Sequence, residues 1–158
     1  SADQLTGREV RQVLDATRQM LSADLQLLDH AAEVVARLAE TYPLLLITKG
    51  DLFDQERKIE RSGLRSYFSH IEIVRDKTVE VYAALLDKYH IAPERFLMVG
   101  NSLRSDILPV VELGGRAVYI PYHLTWAHEH VEAADDSAYL TLDQLGQLPA
   151  AIARMTPA

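Results

Sequence analysis

The sequence contains no cysteine, which excludes disulfide bonds, a thiolate zinc site and a cysteine nucleophile. It is also short of positive charge, because 16 Lys and Arg residues stand against 23 Asp and Glu, a formal net charge of -7. An acidic chain lacks the basic surface that general binding to nucleic acid or to anionic membranes requires. One or two well-placed cations can still bind a phosphate group, so a small phosphorylated ligand is not excluded.

Long apolar runs are missing as well. No stretch reaches the roughly 18 apolar residues of a membrane-spanning helix, and residues 1–4 (SADQ) do not begin a signal peptide. These absences predict a soluble, cytoplasmic protein. The 158 residues are 48% hydrophobic and 25% charged, as in ordinary globular proteins. A chain of this length suits one domain and buries about 70% of its unfolded surface.

Short apolar runs alternate with segments of helical periodicity along most of the chain. The pattern predicts strands at 44–47, 71–74, 96–99 and 117–120, and helices at 7–22, 29–41, 51–61, 78–89, 104–113 and 142–155. Residues 122–138 are predicted to form a polar loop. This alternation predicts a Rossmann-like α/β fold, a three-layer arrangement with a parallel sheet and helices on both faces.

Two of the predicted strands are followed by residues suited to binding an anion. Thr48 ends the first strand, and its hydroxyl and the amides of Lys49 and Gly50 could donate to phosphate oxygens. Lys77 lies between the second strand and a helix, where its ammonium could neutralise a phosphate. Both features have a plainer interpretation. The residues after Thr48 could form a simple turn, and Lys77 could be a loop lysine paired with Asp76.

The segment at 96–106 (FLMVGNSLRSD) is the most informative in the chain. An apolar strand ends at a glycine, and Asp106 follows early in the next helix, where a carboxylate can bind Mg²⁺. Asn101 could orient a water bound to that cation. The alternatives are helix capping by Asp106 and a turn conformation at Asn101. Because parallel strands end at one edge of the sheet, Thr48, Lys77 and Asp106 are expected to converge there.

The polar loop contains several histidines, which could suggest a second metal site. His123, His128 and His130 lack a matching pattern of acidic ligands nearby. The sequence therefore does not predict metal binding by these histidines.

Together these motifs resemble those of the haloacid dehalogenase-like hydrolase superfamily, chiefly its phosphatases, over roughly residues 25–125. Residues 44–48 look like the family's second motif, which binds the transferring phosphoryl group, and Lys77 matches the lysine of the third. The segment from Val99 to Asp106 is similar to the fourth motif, which holds Mg²⁺. The resemblance implies catalytic roles for Thr48 and Lys77, phosphate binding by these two with Lys49 and Gly50, and metal binding by Asp106 and, indirectly, Asn101.

Two departures from the family pattern stand out. Asn101 occupies a position that is usually acidic, and the first motif, an Asp-x-Asp that supplies the nucleophile, is absent from the sequence. Residues 1–24 resemble the end of the family's helical cap and residues 25–158 its core domain. The chain is therefore expected to be the carboxyl-terminal part of a longer hydrolase and to be inactive alone.

The family's sheet also predicts where the absent strand belongs. Strands 44–47, 96–99 and 117–120 are expected in that order, with the absent strand between the two that end at Thr48 and Val99. A separate amino-terminal fragment, a homo-oligomer or a swapped strand is expected to fill that position.

The function implied is a Mg²⁺-dependent phosphatase that acts on a small phosphorylated metabolite through an aspartyl-phosphate. A true dehalogenase of the same superfamily remains open. Two alternatives belong to other functional classes. One is a non-catalytic binding or regulatory domain. The other is a nucleotide-binding doubly wound domain, but the sequence contains no Gly-x-Gly-x-x-Gly to support it.

Overall fold

The computed structural model describes residues 11–14, 31–121 and 138–155. The strands are β1 (Arg11–Leu14), β2 (Leu44–Lys49), β3 (His70–Val74), β4 (Phe96–Gly100), β5 (Arg116–Tyr119) and β6 (Leu140–Thr141). The helices are α1 (Ala31–Thr41), α2 (Leu52–Ser62), α3 (Val79–Lys88), α4 (Leu108–Glu112) and α5 (Leu148–Met155), with a π-helical turn at Leu103–Ile107. The strands form one sheet in the order β3-β2-β1-β4-β5-β6, and every neighbouring pair is parallel.

Helices cover both faces of this sheet, so the predicted Rossmann-like architecture is confirmed. Successive side chains of a strand point to opposite faces. On β2, Leu44 and Leu46 pack in a cluster with α1, α2 and α5, whereas Leu45 and Ile47 pack with α3 and α4 on the other side. Because β2 is buried on both faces, it reads in the sequence as a continuous apolar run.

The helices begin close to the carboxyl ends of the strands, which keeps the loops at that edge short. Asp51 caps α2 by accepting from the amide of Asp54, and Thr78 caps α3 by accepting from the amide of Val81. Helix α2 closes at Gly63, which adopts a left-handed conformation (φ 75°). The chain is thus turned sharply at the points where the candidate site residues lie.

The predicted helix at 7–22 is wrong at residues 11–14, which form β1 in the middle of the sheet. Val13 is opposite Leu45 of β2 on one side and Met98 of β4 on the other. Without β1, the facing backbone groups of two buried strands would have no hydrogen-bond partners. That requirement overrides the helical periodicity of a short segment.

Strand β1 of this chain therefore occupies the position in which a strand from another polypeptide was expected. Strands β4 and β5 are neighbours, as expected, and β1 lies between β2 and β4. The proposed division between residues 24 and 25 stays a prediction, because residues 15–30 lie outside the described part of the chain. Residues 11–14 of the expected cap remnant, however, belong to the sheet of the core.

Two further segments differ from the sequence prediction. The helix expected at 104–113 starts as the π-helical turn and continues as α4, and the helix expected at 142–155 begins only at Leu148, after a 3₁₀ turn at Leu145–Gln147. Strand β6 was not predicted, since a two-residue strand is too short to show a period. The polar loop falls almost entirely outside the described residues, so the prediction about His123, His128 and His130 stays open.

None of the helices in the described ranges combines the length and the apolar character needed to cross a membrane.

Candidate functional site

Three loops of the carboxyl edge hold the residues singled out in the sequence. Thr48 is the second-last residue of β2, Lys77 lies between β3 and α3, and Asp106 lies in the π-helical turn that follows β4. These strands are parallel, so the loops that follow them share one edge of the sheet. The expected location of Thr48, Lys77 and Asp106 is therefore observed.

Lys77 and Asp106 form a buried ion pair. The distance from Lys77 Nζ to Asp106 Oδ1 is 3.0 Å, and the two side chains are 0% and 1% exposed. Asp106 Oδ2 accepts from the backbone amides of Asn101 and Ser102, each at 3.0 Å. The carboxylate thus joins the loop after β3 to the loop after β4 and anchors the latter.

The glycine that ends β4 makes room for this carboxylate. A Cβ placed on Gly100 would overlap the Cβ, Cγ and Oδ2 atoms of Asp106. The glycine predicted to mark the end of the strand is thus required by the close approach of Asp106 to the backbone.

Burial dominates the electrostatics of the pair. The loss of water lowers the pKa of Lys77 from its ordinary value, and the attraction and hydrogen bond of Asp106 partly oppose that effect. A charged pair without solvent contact is costly to bury, and strongly perturbed groups cluster at functional sites. The pair is therefore the part of the edge that most resembles a functional centre.

Tyr82 of α3 supports the turn that carries Asp106. Pro109 has no amide hydrogen, so the carbonyl of Ser105 lacks the helical donor four residues on. The hydroxyl of Tyr82 donates to that carbonyl at 2.8 Å instead. Burial and the nearby Asp106 charge both raise the pKa of Tyr82, so its hydroxyl keeps the proton that it donates.

Thr48 is fully buried, and its hydroxyl donates to Oε1 of Gln55 at 2.8 Å. The sequence interpretation did not single out Gln55. A signal was available, because Gln55 and Ile59 are spaced four residues apart on the same buried side of α2. A glutamine on the inner stripe of a helix needs a polar partner, and Thr48 lies one loop away.

The other predicted anion ligands are arranged differently from expectation. Lys49 Nζ lies 3.6 Å from Asp76 Oδ1, with side chains 39% and 66% exposed, and Asp76 Oδ1 also accepts from the amide of Lys77. Asp76 therefore pairs with Lys49, and the ammonium of Lys77 pairs with Asp106. The amide of Gly50 donates to the carbonyl of Val74 at 3.1 Å, so it continues the ladder between β2 and β3 and does not face an anion.

Of the two residues expected to hold Mg²⁺, Asp106 offers one ligand oxygen. Asp106 Oδ1 accepts from Lys77 and keeps a second lone pair, and Mg²⁺ commonly binds one or two carboxylates, waters and substrate phosphate oxygens. Nδ2 of Asn101 is buried, without a hydrogen-bond partner in the described part of the chain. As a donor it suits a water or a phosphate oxygen. Among residues 11–14, 31–121 and 138–155, no three acidic or histidine side chains form a group that could hold a metal.

Comparisons with known proteins agree with the motifs. A family model described as haloacid dehalogenase-like hydrolase matches residues 2–114. A solved haloacid dehalogenase-like family hydrolase from Xanthomonas campestris is 40% identical with a TM-score of 0.75, covering 88% of this chain and 59% of that one. A HAD phosphatase from Thermococcus onnurineus shares the fold at 19% identity, with a TM-score of 0.68 over 86% of this chain and 62% of its own.

Two curated relatives are phosphatases. Glyceraldehyde 3-phosphate phosphatase of Pyrococcus furiosus is 31% identical over 88 residues, 52% of this chain and 37% of the relative. The enzyme of the same name from Methanothermobacter thermautotrophicus is 31% identical over 97 residues, 58% of this chain and 43% of the relative. The chain thus spans less than half the length of these two relatives.

Proposed function

Because this chain belongs to the haloacid dehalogenase-like hydrolase family, whose model spans residues 2–114, we propose that it supplies the phosphoryl-binding groups of a Mg²⁺-dependent phosphatase. The substrate class is a small phosphorylated metabolite. The names of the curated relatives support that class, since both are phosphatases of a three-carbon phosphate ester.

The buried ion pair between Lys77 and Asp106 is the observation that carries the proposal. Its two residues lie 29 positions apart in the sequence and meet at 3.0 Å, both without solvent contact. A fixed ammonium in a site of low dielectric stabilises negative charge far more than an exposed lysine does. The transferring phosphoryl group is the ligand in this family that carries such charge.

The proposed reaction uses a carboxylate nucleophile from outside this chain, because its sequence contains no Asp-x-Asp. Since β1 already fills the centre of the sheet, the nucleophile reaches the carboxyl edge without adding a strand there. That carboxylate forms a bond to phosphorus while the ester bond to the leaving oxygen breaks, and the leaving oxygen takes up a proton. Water then cleaves the acyl phosphate, which releases inorganic phosphate and restores the carboxylate. Lys77 offsets charge on the phosphoryl oxygens, and the hydroxyl of Thr48 orients them.

Mg²⁺ belongs to the proposal through Asp106, with Asn101 acting on a bound water. When bound, the cation supplies further neutralisation of the phosphoryl charge. Asp106 accepts a hydrogen bond from Lys77, so the same carboxylate positions the ammonium and offers one ligand.

Binding of orthophosphate tests the phosphoryl site without requiring turnover. We expect Lys77→Met to weaken orthophosphate binding by about 10- to 100-fold, the loss typical of a hydrogen bond to a charged group. The dissociation constant is measured by ³¹P NMR titration with Mg²⁺ present. Lys88→Met is the matched control, because Lys88 is 58% exposed and pairs with Glu72. The double variant Lys77→Met/Asp106→Asn provides a folded comparison if the single variant unfolds.

Equal affinity for orthophosphate in wild type, Lys77→Met and Lys88→Met would show that the phosphoryl group does not bind at this edge. Phosphate binding without turnover when an Asp-x-Asp polypeptide is added would instead indicate the non-catalytic binding domain.

A further inference from the structure

Four polar or charged side chains are buried in the described part of the chain: Thr48, Gln55, Lys77 and Asp106. Three of them belong to the candidate site. The fourth, Gln55, is 7% exposed and contacts one of the other three directly. Burying a carboxamide is costly unless it is hydrogen-bonded, so its presence in this interior calls for a reason.

Gln55 accepts the proton of the Thr48 hydroxyl in a hydrogen bond. In this structure the hydroxyl donates to Gln55 Oε1, so its hydrogen is not available to a phosphoryl oxygen. A carboxamide has an acceptor end and a donor end. If the amide turns, Nε2 donates to the hydroxyl oxygen instead, and the hydroxyl hydrogen becomes free to donate to an anion.

Gln55 also packs against the loop that follows Thr48. Gly50 has φ +151°, and a Cβ added to it would lie 2.8 Å from Gln55 Nε2 and 3.1 Å from Cγ and Cδ. The amide of Gln55 donates to the carbonyl of Asp51 at 2.9 Å in the first turn of α2. One side chain thus links the end of β2, the loop and the start of the helix.

We infer that Gln55 is a positioning residue, which acts through the hydroxyl of Thr48. It switches that hydroxyl between donating to Gln55 Oε1 and donating to a phosphoryl oxygen. The inference rests on the proposed function, since it needs an anion at Thr48. An apolar residue of similar size at position 55 would fill the same space and leave the hydroxyl without a buried partner. The carboxamide alone offers the hydroxyl both an acceptor and a donor.

A double-mutant cycle on orthophosphate binding tests this coupling. Gln55→Met keeps the length of the side chain and removes both polar ends, and Thr48→Val removes the hydroxyl. We expect each single variant to weaken binding about tenfold, the effect of one hydrogen bond. If Gln55 acts through Thr48, Gln55→Met has no further effect in the Thr48→Val background. Tm and circular dichroism are recorded for each variant to confirm that it is folded.

Gln147→Met is the matched control. Gln147 is exposed and belongs to a capping box with Gln144, so this variant makes the same chemical change and perturbs a helix end away from the site. It should leave phosphate binding unchanged even if Tm falls. If Gln55→Met does not fold, the cycle is run with Gln55→Glu, which still accepts from Thr48 but cannot donate to it.

The outcomes separate this inference from the proposed function. Unchanged phosphate affinity in the folded Gln55 variant, or losses that add in the double variant, would overturn the positioning role and leave the phosphoryl site in place. If wild type and Lys77→Met bind orthophosphate equally weakly, the proposed function fails and the inference fails with it.

Discussion

At the residue scale, the interior formed by the described residues is apolar except for a few side chains at one edge of the sheet. Lys77 and Asp106 place two charges where neither meets water. Replacing such a pair by uncharged groups is often neutral or stabilising, whereas removing one partner leaves an uncompensated charge. Stability alone therefore does not explain the pair, which is consistent with the proposed anion-binding role.

The double substitution of the pair should destabilise the protein much less than the single substitution of Lys77. We expect Lys77→Met to lower the free energy of unfolding by about 3–5 kcal/mol, because the Asp106 carboxylate is left buried without its cation. Lys77→Met/Asp106→Asn should recover most of that loss, since asparagine keeps an oxygen for the amides of Asn101 and Ser102. Urea unfolding at pH 7 measures both. A single variant as stable as wild type would show that the pair is not buried in solution.

At the scale of elements, β3 and the end of α3 are joined by a small polar cluster on the protein surface. Lys88 Nζ lies 2.6 Å from Glu72 Oε2, and the hydroxyl of Tyr89 donates to the same oxygen. The ring of Tyr89 stacks on His70, with centroids 4.2 Å apart. Glu72 thus ties an edge strand to the helix that follows it.

Glu72 should make stability depend on pH in the acid range. Partial burial raises its pKa, but the hydrogen bonds from Lys88 and Tyr89 outweigh this, so its pKa lies below the ordinary 4.5. Between the lowered pKa and 4.5 the unfolded state binds more protons, so this contribution to stability is present above pH 4.5 and is lost as the pH falls through the folded pKa.

The measurement compares urea midpoints of wild type and Glu72→Gln from pH 7 to pH 3. The difference between them should shrink as the solution becomes acidic. Glu60→Gln, on the exposed side of α2, serves as the control. A difference that is constant with pH would mean that Glu72 is not ionised in this cluster.

The position of β1 can be tested by NMR. Val13 is opposite Leu45 and Met98 in parallel pairing, so backbone NOEs should connect residues 11–14 to both β2 and β4. Their amides should also be among the more protected in hydrogen exchange, as expected of a central strand. A run of strong sequential amide-to-amide NOEs through residues 11–14 would restore the helix that the periodicity predicts.

At the scale of the whole molecule, the sheet is continuous through its centre, and the carboxyl edge gathers the groups that can hold a phosphate. The described residues supply cations, a hydroxyl and one anchored carboxylate there, and no three acidic or histidine side chains among them form a group that could hold a metal. The arrangement suits binding of a phosphoryl group more than its complete transfer.

We therefore expect the 158-residue chain to show no turnover of a generic aryl phosphate with Mg²⁺, because its sequence has no Asp-x-Asp. Addition of a polypeptide that carries an Asp-x-Asp should give activity, and release of the phenol measures both. Steady turnover by the pure chain would place the nucleophile within it. Asp15, the residue after Leu14 in the sequence, would then be the first to replace with asparagine.

Much of the fold follows from local pattern. The apolar runs at β2 and β4 lie where the sequence predicts them, and the bounds of α2 and α3 agree with the prediction to within one residue. These features depend on neighbours within a few residues, so spacing and side-chain type are sufficient to place them. The edge that holds Thr48, Lys77 and Asp106 follows too, since parallel strands end on one side.

The tertiary structure alone decided which partners these residues take. Lys77 pairs with Asp106 across 29 residues instead of with the adjacent Asp76, and Tyr82 reaches Ser105 across 23. Residues 11–14 become a strand because two buried strands flank an open position between them. Such choices depend on which buried backbone and polar groups would otherwise lack a hydrogen-bond partner. That is a property of the folded chain, which no local periodicity contains.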